Sequence, residues 1–113
     1  MMFSKPRNSI YARVTDSPPE NGCRPSADYT FRSAAEVYEG SVLGVVLTGM
    51  GRDGERGCEL LRNRGASIFA QDAESSVVYG MPKAVAEAGL ADRLLSLGDM
   101  PRGILNHLKS QRL

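Results

Sequence analysis

The clearest periodic run of apolar positions is Phe31, Ala34, Ala35 and Tyr38, spaced one turn apart. That spacing marks one face of a helix. Pro25 and Ser26 suit its start, and Gly40 lies where a terminating glycine would stand. Val42 to Leu47 follows, apolar and rich in β-branched residues, with only Gly44 interrupting it. Such a run suits a strand covered on both faces, as in a parallel sheet. Thr48 to Gly54 is a glycine-rich turn. Glu55 to Arg64 then places Cys58, Leu60 and Leu61 on a helix that Gly65 stops. Ser67 to Ala70 predicts a second short strand, ending at Gln71-Asp72. Strand, turn, helix, strand is a βαβ unit, right-handed by the general rule. Beyond it, Pro82 to Ala88 predicts a helix closed by Gly89, and Leu94 to Leu97 a third short strand. Asp99 is placed to N-cap a last helix from Met100 to about Ser110. The alternation gives an α/β fold class.

The upstream pattern is weaker. Residues 1–11 are of mixed polarity and read as a frayed terminus. Ala12 to Thr15 alternates enough for a short edge strand. Asp16 to Pro25 holds Ser17-Pro18-Pro19-Glu20-Asn21-Gly22, dense in turn formers, and reads as a loop. No internal repeat or low-complexity tract interrupts the chain.

Composition narrows the function classes. At 113 residues the chain is at most one domain, or part of one. Its 42% hydrophobic and 24% charged residues suit a soluble globular protein rather than a disordered one. A net charge of +1 gives no electrostatic case for nucleic acid or an anionic membrane. His107 is the single histidine, which excludes a multi-histidine metal site, and no cofactor is expected. Cys23 and Cys58 are far apart and form no metal-binding pair, so reduced thiols in the cytoplasm are expected. The start lacks a secretory apolar region, and no apolar run is long enough to cross a bilayer.

The glycine turn carries the chemistry. Gly49-x-Gly51-x-x-Gly54 lies between strand and helix, and Asp72 follows near the end of the next strand. On pattern this fits a dinucleotide-binding fingerprint. Charge argues against it, because a pyrophosphate needs the positive end of the helix and Asp53 already stands there. The turn instead suits an Asp that must stay ionised at the carboxyl end of a strand, where sites form in open α/β sheets. Such an Asp either caps its helix or orients a histidine in a nucleophile–His–Asp triad. Spacing alone leaves both open.

Val45-Val46-Leu47-Thr48-Gly49-Met50-Gly51-Arg52-Asp53-Gly54 resembles the signature of the CheB-type chemotaxis protein-glutamate methylesterases. Three further blocks agree in order. They are Pro18 to Asp28, then Phe31-Arg32-Ser33-Ala34-Ala35, then Ala70 to Pro82. The resemblance covers roughly residues 12 to 108. It implies a doubly wound, mostly parallel α/β sheet of which residues 12–113 form an incomplete, C-terminal part. It implies hydrolysis of glutamate methyl esters on a methylated chemoreceptor, in some members with glutamine deamidation, by a Ser–His–Asp triad. The triad aspartate would be Asp53, and the backbone N–H of Met50 would serve the oxyanion hole. The sequence departs from the family at Cys23, where a histidine is usual.

The family's nucleophilic serine and its histidine lie in segments with no counterpart here. Ser4 and Ser9 sit in the polar terminus, and His107 on the last helix reads as a surface or helix-end residue. The expectation is therefore no meaningful esterase activity from this chain alone. A separately encoded N-terminal half would complete it. The rival is a non-catalytic remnant that binds a receptor or partner. Missing strands would leave the Val42–Leu47 strand or its neighbour with an open edge, which favours self-association. Cys58 is expected in the core and Cys23 in a loop. Arg24 and Arg32 read as solvated or locally paired, or as contacts to an acidic receptor surface. Ser75 and Ser76 begin a short turn near the site.

Overall fold

The structure, a computed structural model, describes residues 2–5, 11–13 and 26–110. In chain order its elements are β1 (Met2–Ser4), β2 (Tyr11–Arg13), α1 (Ala27–Tyr38), β3 (Leu43–Val46), α2 (Glu55–Asn63), β4 (Ser67–Gln71), α3 (Met81–Glu87), β5 (Arg93–Leu95) and α4 (Met100–Ser110). β3, β4 and β5 form a parallel sheet in that order, with Val45 opposite Phe69 and Ala70 opposite Leu94. The expected βαβ unit is present, and the α/β class is as expected.

The period of two along the strands divides the core into two layers. Val46, Ile68 and Ala70 pack with Ala34 and Ala35 of α1, Cys58 and Leu61 of α2 and Val85 of α3. Phe69 and Leu95 point the other way, onto Met100 and Ile104 of α4, together with Leu43 and Val45. Helices therefore cover both faces, which is the doubly wound arrangement. β3 pairs only with β4 among the described residues, so the strand that leads into the glycine turn is an edge strand. Leu47, just beyond it, is 42% exposed. Among the described residues, no helix is long and apolar enough to cross a membrane.

Two local expectations differ from the structure. Met2–Ser4, inside the segment expected to fray, pairs antiparallel with Tyr11–Arg13 as a separate hairpin. It is held because Phe3 meets the Tyr38 ring edge-on at 5.5 Å and its N–H donates to Ser33 Oγ at 2.8 Å. The edge strand expected at Ala12 to Thr15 belongs to this hairpin and not to the main sheet; residues 14 and 15 lie outside the described residues. At the end of α1 the positive φ falls on Glu39 (55°), not on Gly40. Gly40 is needed for a different reason: a Cβ there would collide with the Arg64 carbonyl oxygen.

Cys58 is fully buried, as expected for core. Desolvation, then the Asp28 carboxylate, pushes its thiol up to about 12. The neutral thiol is unreactive. At pH 8, alkylation of Cys58 in the native chain is expected to be at least about a thousandfold slower than in urea, read by peptide mass spectrometry. Comparable rates in the two states would contradict this burial.

Candidate active site

Asp53 lies in the turn between β3 and α2 and is only 6% exposed. Gly51 (φ 80°) and Gly54 (φ 101°) supply the left-handed backbone that this turn requires. The Asp53 carboxylate does not cap α2, whose N-cap is Gly54 with no side-chain bond. It crosses to α1 instead. Oδ1 accepts from the Ser26 hydroxyl at 2.8 Å and the Asp28 N–H at 3.0 Å, and Oδ2 from the Ala27 N–H at 2.6 Å. The positive end of α1 thus faces a carboxylate, the favourable sense of the helix dipole.

The exchange is reciprocal. Asp28, buried in the first turn of α1, accepts through Oδ1 from Gly54 N–H at 2.9 Å and Gly57 N–H at 2.8 Å. Each helix start is bound by a carboxylate from the other. Gly57 allows the approach, since a Cβ there would lie 2.5 Å from Phe31 Cβ. The crossed pair also disposes of the dinucleotide reading on physical grounds. The N–H groups of Gly54 and Gly57, where a pyrophosphate would sit, are taken by Asp28.

A second set of bonds fixes the first half of the turn. Gln71, fully buried at the end of β4, accepts from Thr48 N–H at 2.8 Å and donates to the Ser75 carbonyl at 2.8 Å. Thr48 Oγ1 accepts from Val78 N–H at 2.8 Å and donates to its carbonyl at 2.9 Å. The Gly49 carbonyl accepts from Gly80 N–H (3.1 Å) and Met81 N–H (2.9 Å). Gly80 permits this contact, because its Cβ would stand 2.6 Å from that oxygen. Between these anchors Met50 is 79% exposed, and its N–H has no hydrogen bond among the described residues. An open cleft of about 560 Å³ begins beside it, bordered by Gly51, Arg52, Tyr79, Gly80 and Lys83.

Asp72 and Ser75 are structural. Asp72 Oδ1 accepts from Ser75 Oγ at 2.7 Å and Ser75 N–H at 2.9 Å, closing the turn after β4. The Ser75 hydroxyl, then its N–H, holds the Asp72 carboxyl below its ordinary value. A lowered folded value contributes stability that is complete above the unfolded value, near pH 4, and lost as pH falls through the folded one. Ser75→Ala removes the larger cause, so its acid-unfolding midpoint should lie at higher pH than that of the wild type. Circular dichroism against pH between 2 and 7 checks this, and superimposable curves would contradict it.

His107 cannot reach Asp53. Its ring packs edge-on against Phe69 at 5.5 Å. It borders a hollow lined by Val42, Leu43, Gly65 and Ser67, at the amino ends of β3 and β4. Asp53 follows the carboxyl end of β3, a strand length of roughly 13 Å away. Arg32 lies over the Tyr29 ring at 5.2 Å. Cys23 and Arg24 fall outside the described residues. Ser26, Asp28 and Gln71 carry the geometry, yet sequence reasoning gave Ser26 only the start of α1 and the other two no role. Only the small–polar start of α1 signalled a cap.

A family model described as CheB methylesterase matches residues 1–104. The protein-glutamate methylesterase/protein-glutamine glutaminase of Maricaulis maris is 53% identical over 109 residues, which is 96% of this chain and 27% of the relative. The enzyme of that name from Trichodesmium erythraeum is 52% identical over 99 residues, 88% of this chain and 28% of the relative. The crystal structure of the Thermotoga maritima CheB methylesterase catalytic domain superposes with a TM-score of 0.89 at 34% identity, covering 93% of this chain and 56% of that one. The chain thus spans less than a third of these curated relatives and little more than half of the solved domain, and over that span it belongs to the CheB methylesterase family.

Proposed function

We propose that this chain is the C-terminal portion of a methylesterase catalytic unit acting on methylated chemoreceptors. Its contribution is the triad aspartate, Asp53, and an oxyanion donor, the Met50 N–H. The observation that carries the reading is the Asp53 carboxylate itself. It is buried, held in a fixed rotation by three donors from α1, and placed at the carboxyl end of an edge strand. A carboxylate so held suits the role of fixing an imidazole and stabilising its cation. The Met50 N–H, without a hydrogen bond among the described residues, lies between anchored residues, as an oxyanion donor must. The cleft beside Gly51 offers room for a peptide segment carrying the ester.

No serine–histidine pair accompanies Asp53 among the described residues, so the chain alone is inactive on this reading. Completion comes from a second segment whose strand pairs with the open edge of β3. Leu43, Val45 and Leu47 lie on or next to that edge. Without the segment the same edge drives self-association. A cytoplasmic place of action follows from this reading.

The test is methanol release from a methylated chemoreceptor. The chain is assayed alone and after completion by the remaining part of the Maricaulis maris catalytic domain, in one polypeptide or two. No turnover alone and turnover on completion support the proposal. A completed protein that binds receptor but never releases methanol would favour the non-catalytic remnant.

A further inference from the structure

We propose that Ser26 is a positioning residue for Asp53, its hydroxyl fixing the rotation of the carboxylate that the glycine turn presents. This rests on the reading of Asp53 given under Proposed function, but its geometry stands independently.

Ser26 is buried and does two things with one oxygen. It caps α1 by accepting from Tyr29 N–H at 3.4 Å, and it donates to Asp53 Oδ1 at 2.8 Å. In the cap bond the oxygen accepts, which leaves its single proton for the short bond to the Asp53 carboxylate. The two backbone donors, from Ala27 and Asp28, move with α1 as a body. Ser26, by contrast, donates from a side chain, at the residue where α1 begins. A carboxylate is free to turn about its Cβ–Cγ bond. Donors on both oxygens, one of them a side chain, hold its plane. A triad aspartate needs that plane fixed, because the oxygen facing the imidazole sets the ring's tautomer and angle.

The other ionisable groups of this junction among the described residues are committed elsewhere. The Asp28 carboxylate binds Gly54 and Gly57 N–H, Cys58 is a buried neutral thiol, and Arg52 and Glu55 pair with each other at 3.0 Å.

The test uses the chain itself. The Asp53 carboxyl carbon is followed by NMR against pH in the wild type, Ser26→Gly, Ser26→Cys and Ser26→Thr. Glycine keeps most of the N-cap preference and removes the donor. Cysteine is close in shape with a weak donor, and serves if the glycine variant does not fold. The Asp53 midpoint is expected to rise by about one pH unit in Ser26→Gly, by less in Ser26→Cys, and to return towards wild type in Ser26→Thr. In the completed enzyme Ser26→Gly should lower kcat about tenfold with KM little changed, and move the acid limb of the pH–rate profile upward with the midpoint. A merely structural cap would alter stability and leave both midpoint and profile in place. An unchanged Asp53 midpoint in folded Ser26→Gly or Ser26→Cys overturns the proposal. A shifted midpoint, in a completed enzyme indifferent to Asp53→Asn, upholds the positioning and overturns the catalytic role of Asp53 instead.

Discussion

Asp53→Asn is expected to lower the turnover of the completed enzyme by about three to four orders of magnitude. In the chain by itself it is expected to cost about 1–3 kcal/mol of stability. Both effects follow from replacing an acceptor-only carboxylate by an amide. One of the two positions now occupied by oxygen becomes an NH2 group, which must face either the Ala27 N–H or the Ser26 and Asp28 donors. A donor set against a buried donor leaves both unsatisfied. In the completed enzyme the amide also fails to hold the histidine in the tautomer that accepts a proton from serine. Initial rates of methanol release and urea unfolding separate the two. A loss of stability without a loss of rate would reduce Asp53 to a cap for α1.

Gly57→Ala should destabilise the chain by about 1–3 kcal/mol, although alanine is the better helix former by up to about 1 kcal/mol. The sign is decided by space. The new Cβ would stand 2.5 Å from Phe31 Cβ and 3.2 Å from the Asp28 Cα, both on α1. One of these atoms is backbone, so α1 as a whole must retreat, and with it the donors to Asp53 and the carboxylate bound to Gly54 and Gly57. Gly103→Ala in α4 is the control. There the new Cβ meets the Leu95 Cδ1 atom at 2.6 Å, the flexible end of a side chain that can turn away. Thermal unfolding of both variants reads the difference, at roughly 4–8 °C per kcal/mol for a chain of this size. A more stable Gly57→Ala would show that the two helix starts are not in close contact.

The central sheet and its helices were legible because their signals are local. Val42 to Leu47 is an apolar run interrupted only by Gly44, and Phe31, Ala34, Ala35 and Tyr38 mark a stripe. The hairpin at Met2–Ser4 was not, because three residues show no period, and what holds them is a contact with Tyr38 thirty-five positions on. The candidate site was legible at Met50, and the triad role of Asp53 favoured over a cap, only through the resemblance of whole blocks to a family. The physical pattern pointed to an Asp at a helix start but named the wrong helix. Which N-terminus a carboxylate reaches depends on how two helices dock, and Ser26, Ala27 and Asp28 are twenty-five to twenty-seven residues from Asp53. Gln71 was hidden for the same reason. A polar residue ending a strand looks solvent-facing until Thr48 and Ser75 are brought against it.

The account turns on whether Asp53 serves an imidazole while it holds α1. A crystal structure of the completed catalytic domain measures this directly, as the distance from the Asp53 carboxylate to the Nδ1 atom of the supplied histidine. The account predicts about 2.6–3.2 Å, with the Ser26, Ala27 and Asp28 bonds still in place. A histidine beyond hydrogen-bond reach, with Asp53 bound to α1 alone, would contradict it.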